Sequence, residues 1–107
     1  MALSDTAFAA LSNVTLNRLA EMLEAFDEDG LLDVELQAGT LEILLPSGAQ
    51  FMVNRHGPSQ QMWLSSPLSG GLHFDYDEQG QDWMLPDGRR LDTLLKAEVE
   101  TLLAQEE

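Results

Sequence analysis

The reading of one stretch decides the fold: Leu19-Ala20-Glu21-Met22-Leu23-Glu24-Ala25-Phe26-Asp27-Glu28-Asp29-Gly30-Leu31-Leu32-Asp33-Val34-Glu35-Leu36-Gln37, then Ala38-Gly39, then Thr40-Leu41-Glu42-Ile43-Leu44-Leu45. Inside it the apolar period changes. Leu16, Leu19, Leu23 and Phe26 keep helical spacing, whereas Leu32, Val34 and Leu36 alternate with Asp33, Glu35 and Gln37 as a strand does. Ala38-Gly39 suits a two-residue hairpin loop, after which Leu41, Ile43 and Leu45 resume the apolar face. Such a loop pairs Gln37 with Thr40 and sets Glu35 opposite Glu42, a like-charge pair that weakens the ladder. Eight carboxylates lie between Glu21 and Glu42, and all fall on the polar side of these periods. This is folded acidic surface.

Upstream, Phe8 and Leu11 extend the stripe, so one amphipathic helix is expected from about Ser4 to Phe26, capped by Ser4 or Asp5. Glu21, Glu24 and Glu28 fall on its solvent side, at the end where the helix dipole disfavours anions. Gly30 suits a left-handed stop. Downstream, Pro46-Ser47-Gly48 is a turn and Ala49 to Asn54 a third strand, broken at His56-Gly57-Pro58. Gln60 to Ser65 alternates with Met62 and Leu64 inward, which sends Gln61, Trp63 and Ser65 outward. Ser66 to Gly71 is a loop. Leu72 to Tyr76 forms a fifth strand with His73 and Asp75 on one face, and Gln81 to Leu85 a sixth. Leu91, Leu94, Leu95, Val99, Leu102 and Leu103 make a second helical stripe. The expectation is a single α+β domain over residues 1–107, a two-layer sandwich with the N- and C-terminal helices on one face of an antiparallel sheet of about six strands. Trp83 and Phe26 are expected in the core, and Trp63 on the open face.

Composition narrows the chemistry. Five Lys and Arg stand against nineteen Asp and Glu, a formal charge of -14. Phosphate backbones need cations to bind them, so nucleic acid is excluded as a partner, and metal cations or basic protein surfaces are favoured. The absence of cysteine removes disulfides, thiolate nucleophiles and thiolate metal sites. No apolar run reaches membrane-spanning length and the N-terminus does not read as a signal peptide, so a cytoplasmic protein is expected. No phosphate-binding glycine loop, nucleophile–histidine pair or Glu-x-x-His motif appears, which argues against an enzyme. His56 and His73 match no zinc or non-haem iron spacing and read as a loop residue and a strand-face residue.

The run Asn54-Arg55-His56-Gly57-Pro58-Ser59-Gln60-Gln61-Met62-Trp63-Leu64-Ser65-Ser66-Pro67, followed by Gly70-Gly71-Leu72-His73-Phe74-Asp75, Trp83 and Gly88, resembles the frataxin family, closest to its bacterial branch. The likeness covers nearly the whole chain. It implies an iron-binding accessory protein of iron–sulfur cluster assembly that docks on the cysteine desulfurase and scaffold complex and modulates it in an iron-dependent way. The alternative class is an iron store or ferroxidase acting through iron-driven oligomers of a monomer. Carried over residue by residue, the family's acidic ridge falls on Glu21, Glu24, Asp27, Asp29, Asp33 and Glu35, with Glu28 and Glu42 as additional acids. Ala20, Ala25 and Leu31 stand where bacterial members often carry a carboxylate. The family's partner surface falls on Asn54, Arg55, Gln61 and Trp63. Surface carboxylates would hold ferrous or ferric iron weakly, with calcium, manganese or magnesium competing.

Overall fold

The computed structural model describes residues 3–105. Helix α1 (Asp5–Phe26) starts where expected, with extended Ser4 accepting the Ala7 N–H at 3.0 Å through its hydroxyl. Phe8, Leu16, Leu19 and Leu23 are buried along one stripe. Ser12 and Thr15 share that stripe and donate to the carbonyls of Phe8 and Leu11, so their burial leaves no unpaired hydroxyl. The helix ends at Phe26 as expected, with Asp27 and not Gly30 as its C-cap. The Asp27 N–H bonds to the Leu23 carbonyl, and its carboxylate accepts the N–H groups of Leu31 and Leu32 at 2.8 and 2.9 Å. Gly30 does adopt the left-handed conformation (φ 66°), but as part of the turn that follows.

Six strands form one antiparallel sheet in sequence order: β1 (Asp33–Gln37), β2 (Thr40–Leu44), β3 (Gln50–His56), β4 (Gln61–Ser66), β5 (Gly70–Asp77) and β6 (Asp82–Met84). Helix α2 (Leu91–Gln105) follows. The first hairpin has the predicted register, Gln37 opposite Thr40 and Glu35 opposite Glu42. Its loop places both Ala38 (φ 33°) and Gly39 (φ 84°) at positive φ. Gly39 is required for a second reason: a Cβ there would lie 2.7 Å from the Arg55 guanidinium.

Leu41, Ile43, Phe51, Val53, Met62, Leu64 and Phe74 bury one sheet face against α1 and α2, as the period-two pattern requires. Trp83 is core, 1% exposed, with its indole N–H donating to Thr15 Oγ1 at 2.8 Å. Phe26 is only half-buried, because it is the last residue of α1 and packs at the margin of the core. Leu36 is 38% exposed for a related reason, since β1 is an edge strand.

Three boundaries differ from expectation. Strand β3 continues to His56, so that residue belongs to the sheet, and the break is a single 3₁₀ turn at Gly57–Ser59 closed by left-handed Gln60. The expected long loop after β4 shrinks to Pro67, Leu68 and Ser69. There Ser66 Oγ accepts the N–H groups of Leu68 and Ser69 and donates to Glu98, a tight turn tied to α2. Strand β6 is shorter than Gln81 to Leu85, with Gln81 at φ 53° in the preceding turn.

Candidate metal and partner surfaces

Glu21, Glu24, Glu28, Asp29, Asp33 and Glu35 are all exposed, spread along the end of α1, the turn and the edge strand β1. The last turn of α1 holds no basic residue to offset them. Ion pairs among the described residues gather elsewhere, at Asp87–Arg89, Asp82–Arg90, Asp92–Arg90 and Glu100–Lys96. Three of the five cations are thus committed near α2, and the ridge carboxylates are left with water and whatever cation arrives. Asp27 is the exception, because each of its oxygens already accepts a backbone N–H.

No three Asp, Glu or His side chains among the described residues converge closely enough to form a ready-made cage. The ridge therefore suits ions held by one or two carboxylates with water completing the shell, a hard-oxygen donor set that accepts iron along with calcium and magnesium. Glu35 and Glu42, directly opposed across β1 and β2, line a shallow depression of about 390 Å³ with Gln37, Ala38, Thr40 and Met52.

The sheet face turned away from the helices carries the second surface. Pairing sets Thr40, Asn54, Trp63 and His73 in one row across β2 to β5, and Glu42, Met52 and Ser65 in the row beside it. The acid pair and Trp63 thus occupy neighbouring rows of one face. Trp63 is half-buried, and its covering comes from two histidines. The His56 ring stacks on one face of the indole (centroids 3.7 Å, planes 10° apart) and His73 on the other (4.1 Å, 10°). The Trp63 N–H donates to Gln61 Oε1 at 3.1 Å, and the Gln61 amide donates to Asp75 at 3.0 Å. His56 Nδ1 lies 2.7 Å from Ser59 Oγ.

Asn54, Gln61 and Trp63 therefore come together as the sequence suggested, and Arg55 does not join them. Strand alternation turns Arg55 to the helix side, where it lies against Gly39 and donates to Asn13 of α1 at 3.3 Å. Sequence reasoning missed the role of His56 entirely, having placed it in a loop. The signal was present in the register: His73 is directly opposite Trp63, and His56 pairs with Gln61 two residues from it.

A helix, an antiparallel meander of six strands and a closing helix, with an acid-lined first hairpin, define a frataxin-like domain, and the family model described as a frataxin-like domain matches residues 1–105. The chain belongs to the frataxin family. It is similar to the iron–sulfur cluster assembly protein CyaY of Pseudomonas putida (strain GB-1), 39% identical over 92 residues that cover 85% of this chain and 80% of that protein. Among solved structures, frataxin from Psychromonas ingrahamii superposes with a TM-score of 0.81 at 23% identity, over 94% of this chain and 91% of that one. Trimeric frataxin from Saccharomyces cerevisiae, in a structure described as complexed with ferrous, gives 0.71 at 30% identity over 94% and 87%.

Proposed function

We propose that this chain serves iron–sulfur cluster assembly as an iron-binding regulatory module that docks on the cysteine desulfurase–scaffold complex and modulates it according to iron. The similarity to CyaY proteins named for that process supports the general role. One structural observation supports the rest: Asp33, Glu35 and Glu42 of the first hairpin stand on the open sheet face that bears Trp63, so the strand part of the acidic ridge and an aromatic contact share that face. Glu21, Glu24, Glu28, Asp29, Asp33 and Glu35 hold weakly bound iron, with Asp27 contributing least. The same acids meet a basic groove of the desulfurase, where complementary charge speeds association and makes it salt-sensitive. Asn54, Gln61 and Trp63 supply the second contact. The chain acts by binding, and any oxidation of ridge-held iron by oxygen is a by-product. Among the described residues no helix is long and apolar enough to cross a membrane, and we assign the protein to the cytoplasm with the machinery it serves.

Reversing Glu21, Glu24, Asp29 and Asp33 to Lys tests this reading against reversal of an equal number of acids around α2. The ridge variant should lose desulfurase affinity and iron-dependent inhibition, while the α2 variant keeps most of both. Equal losses would sink the ridge assignment. A second reading, iron storage through oligomers, is favoured by the likeness to a trimeric frataxin described with ferrous iron. It demands that iron drive assembly in sedimentation experiments, whereas a chain that stays monomeric through the iron titration excludes it.

A further inference from the structure

We propose that His56 and His73 are positioning residues which clamp the Trp63 indole upright on the open sheet face, so that a partner meets the rim of the ring and never its faces. The inference rests on the docking role assigned above to Trp63 and says how that contact is made. An isolated tryptophan on a sheet surface samples several rotamers, and freezing it at an interface costs conformational entropy. Here the cost is met within the monomer. Parallel rings cover both faces at 3.7 and 4.1 Å, and the N–H is held by Gln61, whose own amide is held by Asp75. The clamp is itself anchored, because His56 is fixed by Ser59 in the 3₁₀ turn and His73 by direct strand pairing with Trp63.

This arrangement also selects chemistry. The faces of an indole attract cations, but both are occupied by imidazoles. What remains is the rim, the positive end of the ring quadrupole, which prefers carbonyl or carboxylate oxygens, or the face of another aromatic ring. A partner therefore brings its lysines and arginines to the ridge and an oxygen- or ring-bearing segment to Trp63. The two surfaces do not compete for the same groups, and together they fix the orientation of docking.

The test uses the full chain and the purified desulfurase–scaffold complex. Three variants are compared: Trp63→Ala, the pair His56→Ala with His73→Ala, and the pair His56→Phe with His73→Phe, which keeps flat rings in both positions. Two quantities are read: affinity for the complex, and NMR relaxation with hydrogen exchange at the Trp63 indole N–H. The alanine pair should lose about three- to tenfold in affinity, the value of ordering one side chain, and should show faster indole exchange. The phenylalanine pair should recover both. Unchanged indole exchange in the alanine pair would overturn the clamp. So would a fall in affinity that phenylalanine does not restore, since the imidazoles would then be touching the partner themselves. If Trp63→Ala binds normally, the docking reading of Trp63 fails, while the indole exchange still decides whether the histidines hold it. Should the alanine pair fail to fold, the phenylalanine pair decides the matter: wild-type affinity with slow exchange supports the clamp, and weakened affinity with fast exchange removes it.

Discussion

Thr15 carries more of this molecule than its place on a helix suggests. Its hydroxyl donates to the Leu11 carbonyl and accepts the N–H of buried Trp83, a bond spanning 68 positions of sequence that fixes α1 against β6. Thr15→Val keeps the shape and leaves the indole N–H unpaired, a loss of about 1–3 kcal/mol, whereas Thr15→Ser should lose far less. Urea denaturation checks this through a lower midpoint at unchanged slope. Equal behaviour of the two variants would show that the bond contributes little. Asp27 poses a different question at the same scale, because its carboxylate is engaged by Leu31 and Leu32. Asp27→Ala should cost about 1 kcal/mol of stability, as the loss of a cap does. Asp27→Asn should change iron affinity less than Asp29→Asn, which calorimetric titration of the two variants compares directly.

The hairpin of β1 and β2 is an element built against its own stability. Glu35 and Glu42 face each other across it, and Asp33 and Glu35 make the edge strand unwelcoming to a second copy of itself. Glu42→Gln should therefore raise the thermal midpoint of the metal-free protein, by a stabilisation of about 0.2–1 kcal/mol. Added calcium or ferrous iron should raise the wild-type midpoint and shift the variant less, because a ligand stabilises the state it binds. Equal shifts in the two proteins would mean that the Glu35–Glu42 pair takes no part in cation binding. The loop of the same hairpin depends on Gly39, where a side chain would meet both a positive φ and the Arg55 guanidinium. Gly39→Ala should cost on the order of 1–3 kcal/mol, visible in the same melting experiment.

For the whole molecule the dominant fact is a charge of -14 unevenly distributed. Arg89, Arg90 and Lys96 pair with acids in and around α2, so repulsion concentrates on the carboxylates that have no cation beside them, along the end of α1 and β1. Raising ionic strength from about 0.01 M to about 0.15 M shortens the screening length from about 30 Å to about 8 Å. The thermal midpoint should rise with it in the free protein, while affinity for the desulfurase falls. A midpoint indifferent to salt would show that solvent already screens the ridge. Opposite responses of stability and docking to one variable would tie both to the same set of carboxylates.

Local pattern alone determined much of this protein. Helical and period-two spacings around Leu23 and Ile43 mark the elements, and Ala38-Gly39 sets the register that opposes Glu35 and Glu42. The exposure of Glu21, Glu24, Asp29 and Asp33 follows from the same periods, because each depends on neighbours a few residues away. Tertiary structure decided what depends on residues distant in sequence. Arg55 was turned toward Asn13 forty-two positions away, and Ser66 reached Glu98. Above all, pairing of β3, β4 and β5 brought His56 and His73 onto the two faces of Trp63. No spacing along the chain encodes that contact, because ring stacking is set by the side chains that sheet register places side by side.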